Sequence, residues 1–203
     1  MKKSILQHNT LFARIDELMG EKKHVLVAID GDCAAGKTTL AGLLKQVYDD
    51  CNIVHIDHFF LRPEQRKPER LAMPGGNIDH ERFSEEVLEK LKAGEAFSYR
   101  PFNCTVQNFD APIPMEAKQL TIVEGSYSHH PKLAEAYDLK VFLSVPEDVQ
   151  LERILKRNGE VMFEKFRDVW IPMEKQYAEA FGIREGSDLV FDGLGCGKRE
   201  NTT

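Results

Sequence analysis

From residue 31 the chain reads Gly31-Asp32-Cys33-Ala34-Ala35-Gly36-Lys37-Thr38-Thr39, and this stretch decides the fold. It has the GxxxxGK[ST] spacing of a phosphate-binding loop, between an apolar run at 25–29 and a helical pattern that starts near Leu40. Glycine lets the backbone turn so that successive N–H groups converge on phosphate oxygens, and the helix N-terminus adds further donors. The stretch therefore predicts a site for ATP or another nucleoside triphosphate.

The side chains of this loop suit the same ligand. Lys37 can reach the β- and γ-phosphates, and the hydroxyl of Thr38 can ligate Mg²⁺. An alternative, a glycine-rich turn with a solvated lysine, is disfavoured by the flanking strand and helix. We assign nucleotide binding to the nine residues Gly31, Asp32, Cys33, Ala34, Ala35, Gly36, Lys37, Thr38 and Thr39.

The composition, 42% hydrophobic and 30% charged over 203 residues, is that of an ordinary globular protein. A net charge of -6 gives no electrostatic reason to expect nucleic acid. The cysteines at 33, 51, 104 and 196 lack CxxC spacing, which indicates reduced thiols. The sequence shows neither the apolar core of a signal peptide nor an apolar run long enough to span a membrane. We expect a cytoplasmic protein that binds a small-molecule acceptor but no nucleic acid or membrane; a homo-oligomer remains open.

Working outward from the loop, apolar strand patterns alternate with helical ones. Strands are predicted at 25–29, 52–56, 120–123, 139–145 and 189–191. The helical patterns include an amphipathic N-terminal helix within residues 1–20, a helix at 79–93, and a long stripe to Phe181 that is bent or broken at Pro172. This order predicts one α/β domain over 1–203, with a mostly parallel central sheet between two helical layers and a loose tail at 193–203.

Two carboxylates stand directly after predicted strands, where parallel sheets bind their ligands. Asp57 follows the strand at 52–56, and Glu124 follows the strand at 120–123. Both should point toward the phosphates, because the strands' carboxyl ends meet at one edge. The alternatives are a helix cap or turn residue for Asp57 and a satisfied strand-end hydrogen bond for Glu124.

Positive charge collects at the end of the helix that follows 139–145. Arg153, Lys156 and Arg157 would form a short lid over the triphosphate at 153–162, with Gly159 as its hinge. The alternative is that these side chains only complement the negative end of the helix.

Two irregular segments, 61–77 and 96–114, are rich in proline and are predicted to form the acceptor site. A solvated surface loop is the alternative for the first segment, and a small hairpin is compatible with the second. His129 and His130 follow the strand at 120–123, and we expect a surface pair there.

Five motifs in this order resemble one family. They are GDCAAGKTT at 31–39, HIDHFF at 55–60, NIDHERF at 77–83, IVEGSY at 122–127 and DLKVFLSVPEDVQLERILKRN at 138–158. Together they resemble the uridine kinase and phosphoribulokinase group of P-loop kinases, and within it the bacterial uridine kinase-like proteins. The resemblance runs from residue 25 to about 191. It implies the three-layer P-loop NTPase fold of nucleoside and nucleotide kinases.

The resemblance implies roles for the residues around the phosphates. Asp57 would activate the acceptor hydroxyl, and Glu124 would stand near Mg²⁺ and its waters. Arg153 and Arg157 match the lid arginines, and with Lys37 and Asp57 they make up the predicted catalytic set.

The resemblance also implies an acceptor site. Asp79 matches the aspartate that binds the ribose hydroxyls, unless it only caps the following helix. Phe60 and Tyr99 match aromatic residues that flank the nucleoside, although each also suits a plain core role. The chain departs from the family at Cys104, near the position of a histidine that reads the pyrimidine, and at Ile154, which replaces a lid arginine.

These observations predict an ATP- and Mg²⁺-dependent kinase that phosphorylates a primary hydroxyl, foremost the 5′-hydroxyl of uridine, cytidine or a related riboside. A kinase of a non-nucleoside alcohol, such as pantothenate or a sugar phosphate, is the alternative enzyme. A third hypothesis is a nucleotide-binding regulatory module with little turnover.

Overall fold

The computed structural model describes residues 2–192, and side chains from residue 9 to residue 191. The predicted tail at 193–203, with Cys196, lies outside the described residues. The strands are β1 (Val25–Gly31), β2 (Cys51–His55), β3 (Phe97–Tyr99), β4 (Phe102–Asn103), β5 (Asn108–Phe109), β6 (Ile113–Met115), β7 (Leu120–Glu124), β8 (Leu139–Ser144) and β9 (Leu189–Asp192). The helices are α1 (Lys2–Glu21), α2 (Lys37–Val47), α3 (Pro68–Leu71), α4 (His80–Phe83), α5 (Glu89–Ala93), α6 (Pro131–Ala134), α7 (Glu147–Lys165) and α8 (Ile171–Phe181).

Five of the strands form a parallel sheet in the order β2-β7-β1-β8-β9, which confirms the predicted fold class. The loop strand β1 is central, and all seven of its residues are buried, as its apolar sequence predicts for a parallel strand covered on both faces. Because the strands are parallel, their carboxyl ends share one edge. The phosphate-binding loop, Glu124 and the turn that holds Asp57 all leave the sheet there.

Alternate residues of β1 pack into two different cores. Val25, Val27 and Ile29 lie in a cluster with side chains of α1 and α2. Leu26 and Ala28 lie in a second cluster on the opposite face, with side chains from the segments between residues 54 and 183. The sheet is thus covered on both faces. None of the helices within residues 2–192 is long and apolar enough to cross a membrane.

The two irregular segments have short elements of their own. Segment 61–77 contains a 3₁₀ turn (Pro63–Gln65) and α3. In segment 96–114 the strands β3 and β6 pair antiparallel, and β4 and β5 pair antiparallel within them, so the chain forms a nested hairpin. The acceptor role of both segments stays a prediction.

Two predicted helices are less regular than their sequence patterns. The helix expected at 79–93 is interrupted by a π-helical turn (Ser84–Leu88) between α4 and α5. A second π-helical turn (Phe166–Trp170) precedes α8. The irregularity predicted at Pro172 therefore lies in the turn just before that proline. Proline is tolerated in the first turn of α8 because its missing N–H needs no partner there.

A buried aspartate that the sequence analysis did not single out joins the sheet to its surroundings. Asp30, near the end of β1, is 2% exposed. Its Oδ1 accepts the backbone N–H groups of Gly31 at 2.7 Å and Tyr127 at 3.2 Å. Its Oδ2 accepts the N–H of His129 at 2.9 Å and the hydroxyl of Tyr177 at 2.8 Å. The carboxylate therefore fixes the turn after β7 and helix α8 against β1.

The expectation of a surface histidine pair is wrong. His129 and His130 are 3% and 6% exposed, because Asp30 draws the turn after β7 into the protein. The imidazole of His130 stacks on that of His80 with a centroid distance of 4.5 Å, and its Nδ1 accepts the N–H of Lys132 at the start of α6.

Acidification should destabilise the fold through His130. Burial, then the nearby charges of His80 and Lys132, lower its pKa from 6.5 to about 4. The unfolded chain therefore takes up a proton first as the pH falls below about 6.5, and the stabilisation present above that pH is progressively lost. Between pH 7.5 and pH 5 we expect His130 to contribute a loss of at most about 2 kcal/mol in the free energy of unfolding, measured by urea denaturation as the difference from a variant that does not titrate at this position.

The matched variant is His130→Asn, which keeps a side-chain acceptor for the start of α6 but does not titrate. Its loss between the same two pH values should be smaller by up to about 2 kcal/mol. Equal losses in the two proteins would contradict the assignment to His130.

Candidate active site

The phosphate-binding loop takes a backbone shape that its sequence permits. Gly31 has a φ of 136° and Gly36 a φ of 103°, and Ala34 also lies in the left-handed region at 59°. A Cβ atom on Gly31 would lie 2.0 Å from the carbonyl oxygen of Leu143, so β1 could not approach β8 with any other residue there. Gly36 stands directly before α2 and leads the loop amides to the start of that helix.

Lys37 lies along the inside of the loop. Its Nζ donates to the carbonyl oxygens of Gly31 at 2.8 Å and Asp32 at 2.9 Å, and to the hydroxyl of Ser126 at 3.1 Å. The ammonium is thus held where the loop turns. Ser126 was missed by the sequence analysis, and its position two residues after Glu124 was the available signal.

Thr38 and Glu124, the two predicted Mg²⁺ ligands, lie side by side. The Thr38 hydroxyl lies 3.3 Å and 3.2 Å from the two carboxylate oxygens of Glu124. Oε1 of Glu124 also lies 2.5 Å from Nδ1 of His55, and this carboxylate raises the pKa of His55. Within the described residues no group of three or more His, Cys, Asp or Glu side chains could hold a metal ion. A hydroxyl beside a carboxylate nonetheless suits Mg²⁺, which takes few protein ligands beside phosphates.

Asp57 lies in the 3₁₀ turn after β2 and lines the cavity described below. Loss of solvation raises its pKa to about 6; Lys37 opposes that rise and Glu124 adds to it. Gly125 makes room for this carboxylate, because a Cβ there would lie 3.1 Å from Oδ1 of Asp57 and 2.5 Å from Ile56. A carboxyl group with a pKa near neutrality suits a general base.

Helix α7 docks on the loop through three side chains. Gln150, which the sequence analysis missed, donates to the Cys33 carbonyl at 3.0 Å, and Arg153 donates to the Ala34 carbonyl at 3.0 Å. Nη2 of Arg157 lies 3.8 Å from Sγ of Cys33. Gly159, with a φ of 74°, interrupts the helix directly afterwards. The predicted lid arginines are therefore adjacent to the loop, and Gly159 is a break point.

A cavity of about 910 Å³ joins these groups. Its phosphate side is formed by the loop with Asp57, Glu124 and the two arginines. The cavity is also lined by Phe60 and by parts of both irregular segments and of the turn before α8, including Arg66, Cys104 and Trp170. The structure thus brings the residues predicted to bind phosphate and parts of the predicted acceptor segments into one space, whose volume also suits a nucleotide together with a small second substrate.

Two predicted acceptor residues lie behind the cavity wall. Asp79 is 3% exposed and caps α4, with its carboxylate accepting from the N–H of Arg82 at 3.1 Å and from Gln65 at 2.7 Å. Tyr99 is 2% exposed, and its hydroxyl pairs with Nδ1 of His58 at 3.1 Å. Neither is among the described residues that line the cavity, whereas Phe60 is. Their contacts to an acceptor stay predictions.

A third carboxylate that lines the cavity was missed by the sequence analysis. Glu174 projects from α8, and its Oε2 accepts the backbone N–H of Cys33 at 3.0 Å. Burial raises its pKa to about 7, although Lys37 and a hydrogen bond with Ser126 oppose the rise. Its sequence setting, an amphipathic helix far from any motif, gave no signal that it would reach the loop.

Comparison with known proteins supports the resemblance, although no family model matches the chain. It is 26% identical over 167 residues to uridine kinase-like protein 3 of Arabidopsis thaliana, with 77% of this chain and 35% of the relative covered. It is 26% identical over 178 residues to the uridine kinase of Bacillus cereus strain B4264, with 79% and 82% covered. The chain thus spans about a third of the plant relative and most of the bacterial one.

Solved structures share the fold. A possible uridine kinase from Bacillus stearothermophilus superposes with a TM-score of 0.63 and 20% identity, covering 90% of this chain and all of that one (100%). A protein assigned as a fructose transport system kinase from Silicibacter sp. TM1040 gives 0.68 and 22% identity, with 94% and 99% covered. The predicted resemblance to uridine kinase-like P-loop kinases is thereby confirmed, and so is the fold.

Lys37→Met should weaken nucleotide binding, because it keeps the length of the side chain but removes the ammonium from the loop. We expect the dissociation constant for ATP to rise by about tenfold or more, since hydrogen bonds between charged groups are the strong ones. Calorimetric titration without an acceptor measures this. Lys92→Met, on the exposed side of α5, is the control, and an unchanged affinity in Lys37→Met would contradict the assigned role.

Proposed function

We propose that this P-loop small-molecule kinase transfers the terminal phosphoryl group of ATP, with Mg²⁺, to a primary hydroxyl of a small polar metabolite. One observation carries the proposal: Asp57 faces the same cavity as Lys37, Thr38 and the arginines of α7. A carboxylate that can take a proton therefore lines the same cavity as groups that suit a triphosphate. The 5′-hydroxyl of uridine, cytidine or a related riboside is the first candidate acceptor, in line with the names of the relatives.

The loop amides between residues 31 and 39 and the Lys37 ammonium bind the phosphates. Thr38 and Glu124 would hold Mg²⁺, which neutralises charge on the β- and γ-phosphates when it is bound. Arg153 and Arg157 approach the loop from α7 and add positive charge where the transferred group accumulates negative charge. The break at Gly159 divides these arginines from the rest of α7 and gives the lid a hinge.

Asp57 acts on the acceptor. Its carboxylate accepts the proton of the hydroxyl while the hydroxyl oxygen bonds to the γ-phosphorus, and the bond from that phosphorus to the β–γ bridging oxygen breaks to release ADP. Its raised pKa, about 6, lies close to neutral pH, which suits a group that accepts a proton. A general base contributes about 10²- to 10⁴-fold to the rate.

A second class of acceptor is favoured by Arg66. This arginine lines the acceptor side of the cavity, where Nε donates to the Leu61 carbonyl at 2.9 Å and Nη2 lies 3.9 Å from Sγ of Cys104. Asp57 and Cys104 line the same cavity as Arg66, so the proposed base and this positive charge border one space. An alcohol with an anionic group, such as a sugar phosphate or pantothenate, would suit this arrangement.

We place the reaction in the cytoplasm. In the described part of the chain the thiols of Cys33, Cys51 and Cys104 are free, which suits a reducing compartment.

The deciding experiment is a panel of acceptors tested for acceptor-dependent ADP release. The panel contains ribonucleosides, 2′-deoxynucleosides, sugar phosphates and pantothenate. Stimulation by ribosides with discrimination against deoxyribosides supports the first candidate, and stimulation by anionic alcohols alone supports the second. No stimulation by any acceptor, with ATP still bound, would refute turnover and leave the regulatory module.

Asp57→Asn should separate binding from transfer. The amide keeps the shape of the side chain but cannot take the proton, so kcat should fall by about 10²- to 10⁴-fold while ATP affinity stays within a few-fold. Asp49→Asn, on the surface after α2, is the control. In the wild type, kcat/KM should fall as the pH drops through about 6, because Asp57 becomes protonated. Near-normal turnover by Asp57→Asn would remove this residue from the base role.

A further inference from the structure

The carboxylate of Glu174 occupies a position at the phosphate-binding loop that the transfer reaction does not use. Oε2 accepts the N–H of Cys33 at 3.0 Å, and the side chain borders the cavity. Amides of such a loop and the helix N-terminus behind it favour negative charge, which here comes from within the protein.

This contact is held from both sides. One turn further along α8, the hydroxyl of Tyr177 donates to Asp30 at 2.8 Å, which fixes the helix against β1. On the loop side, Gln150 holds the carbonyl of Cys33. Glu174 therefore meets the loop as part of an anchored helix and is not a flexible surface side chain.

The charge of Glu174 has two opposite effects on ligand binding by the loop. The carboxylate attracts the Lys37 ammonium and lies by the hydroxyl of Ser126, which accepts from that ammonium. It therefore helps to keep the loop and its lysine in place. The same negative charge repels a phosphate chain that enters the loop, and the repulsion grows from AMP to ADP to ATP because each carries more charge.

We propose that Glu174 is an internal anionic competitor for the phosphate-binding loop, an inference that rests on the proposed nucleotide site. Its carboxylate accepts the Cys33 N–H, and its charge lowers the affinity for nucleotides in the order of their charge. Strongly charged ligands are therefore bound less tightly than the loop and Lys37 alone would allow.

The test is calorimetric titration of ATP, ADP and AMP into the full chain without an acceptor, at about pH 8.5, above the pKa of about 7 of Glu174. Glu174→Gln keeps an oxygen that can accept from Cys33 but removes the charge. It should bind ATP about tenfold more tightly than the wild type, ADP by a smaller factor and AMP without change. Glu179→Gln, an exposed charge change on the same helix, should match the wild type for all three.

A purely structural role would give a different result. In that case Glu174→Gln would bind each of the three nucleotides as tightly as the wild type does, or more weakly. Either outcome overturns the proposal. Glu174→Met removes both the charge and the hydrogen bond, and it carries the same expectation of tighter ATP binding if Glu174→Gln does not fold. A wild type that binds no ATP would refute the proposed function as well, whereas ATP binding without a gain in the variants refutes this inference alone.

Discussion

The arrangement of the whole site depends on one buried carboxylate, that of Asp30. A carboxylate inside a protein is costly unless its oxygens accept hydrogen bonds. Here three backbone N–H groups and one tyrosine hydroxyl come to it, from β1 itself, from the turn after β7 and from α8. That turn carries Ser126, and α8 carries Glu174, so the two groups that surround Lys37 are placed by the same anion. Burial of one charge thereby sets the geometry around the loop.

The parts of the site that could be predicted from sequence are those whose position in the fold is fixed by the residues directly around them in the chain. The loop at 31–39 carries its glycines in order, and Asp57 and Glu124 each follow an apolar strand. In a parallel sheet such positions converge at one edge whatever the rest of the chain does. The rule places Glu124 beside the loop that leads into α2, where its carboxylate meets the Thr38 hydroxyl.

The remaining parts depend on contacts between residues that are far apart in the chain. Asp30 ended an apolar run without any signal that its partners would come from residues 127, 129 and 177, and Glu174 lay in an ordinary amphipathic helix. The local sequence gave no sign that His129 and His130 are buried. Their burial depends on the hydrogen bond between the turn after β7 and the distant Asp30. The places of Asp79 and Tyr99 behind the cavity wall depend on how the segments around them pack, which periodicity does not report.

The break at Gly159 has a consequence for the shape of the cavity. Before it, α7 is tied to the loop by Gln150 and Arg153; after it, the chain runs to α8, which Tyr177 ties to β1. The intervening span, residues 160–170, bridges two anchored ends, and Val161 within it is 86% exposed. Met162 and Trp170 in this span line the cavity. A change in its length or sequence would therefore reshape that wall of the cavity, while the contacts that hold α7 on the loop and α8 on β1 would stay in place.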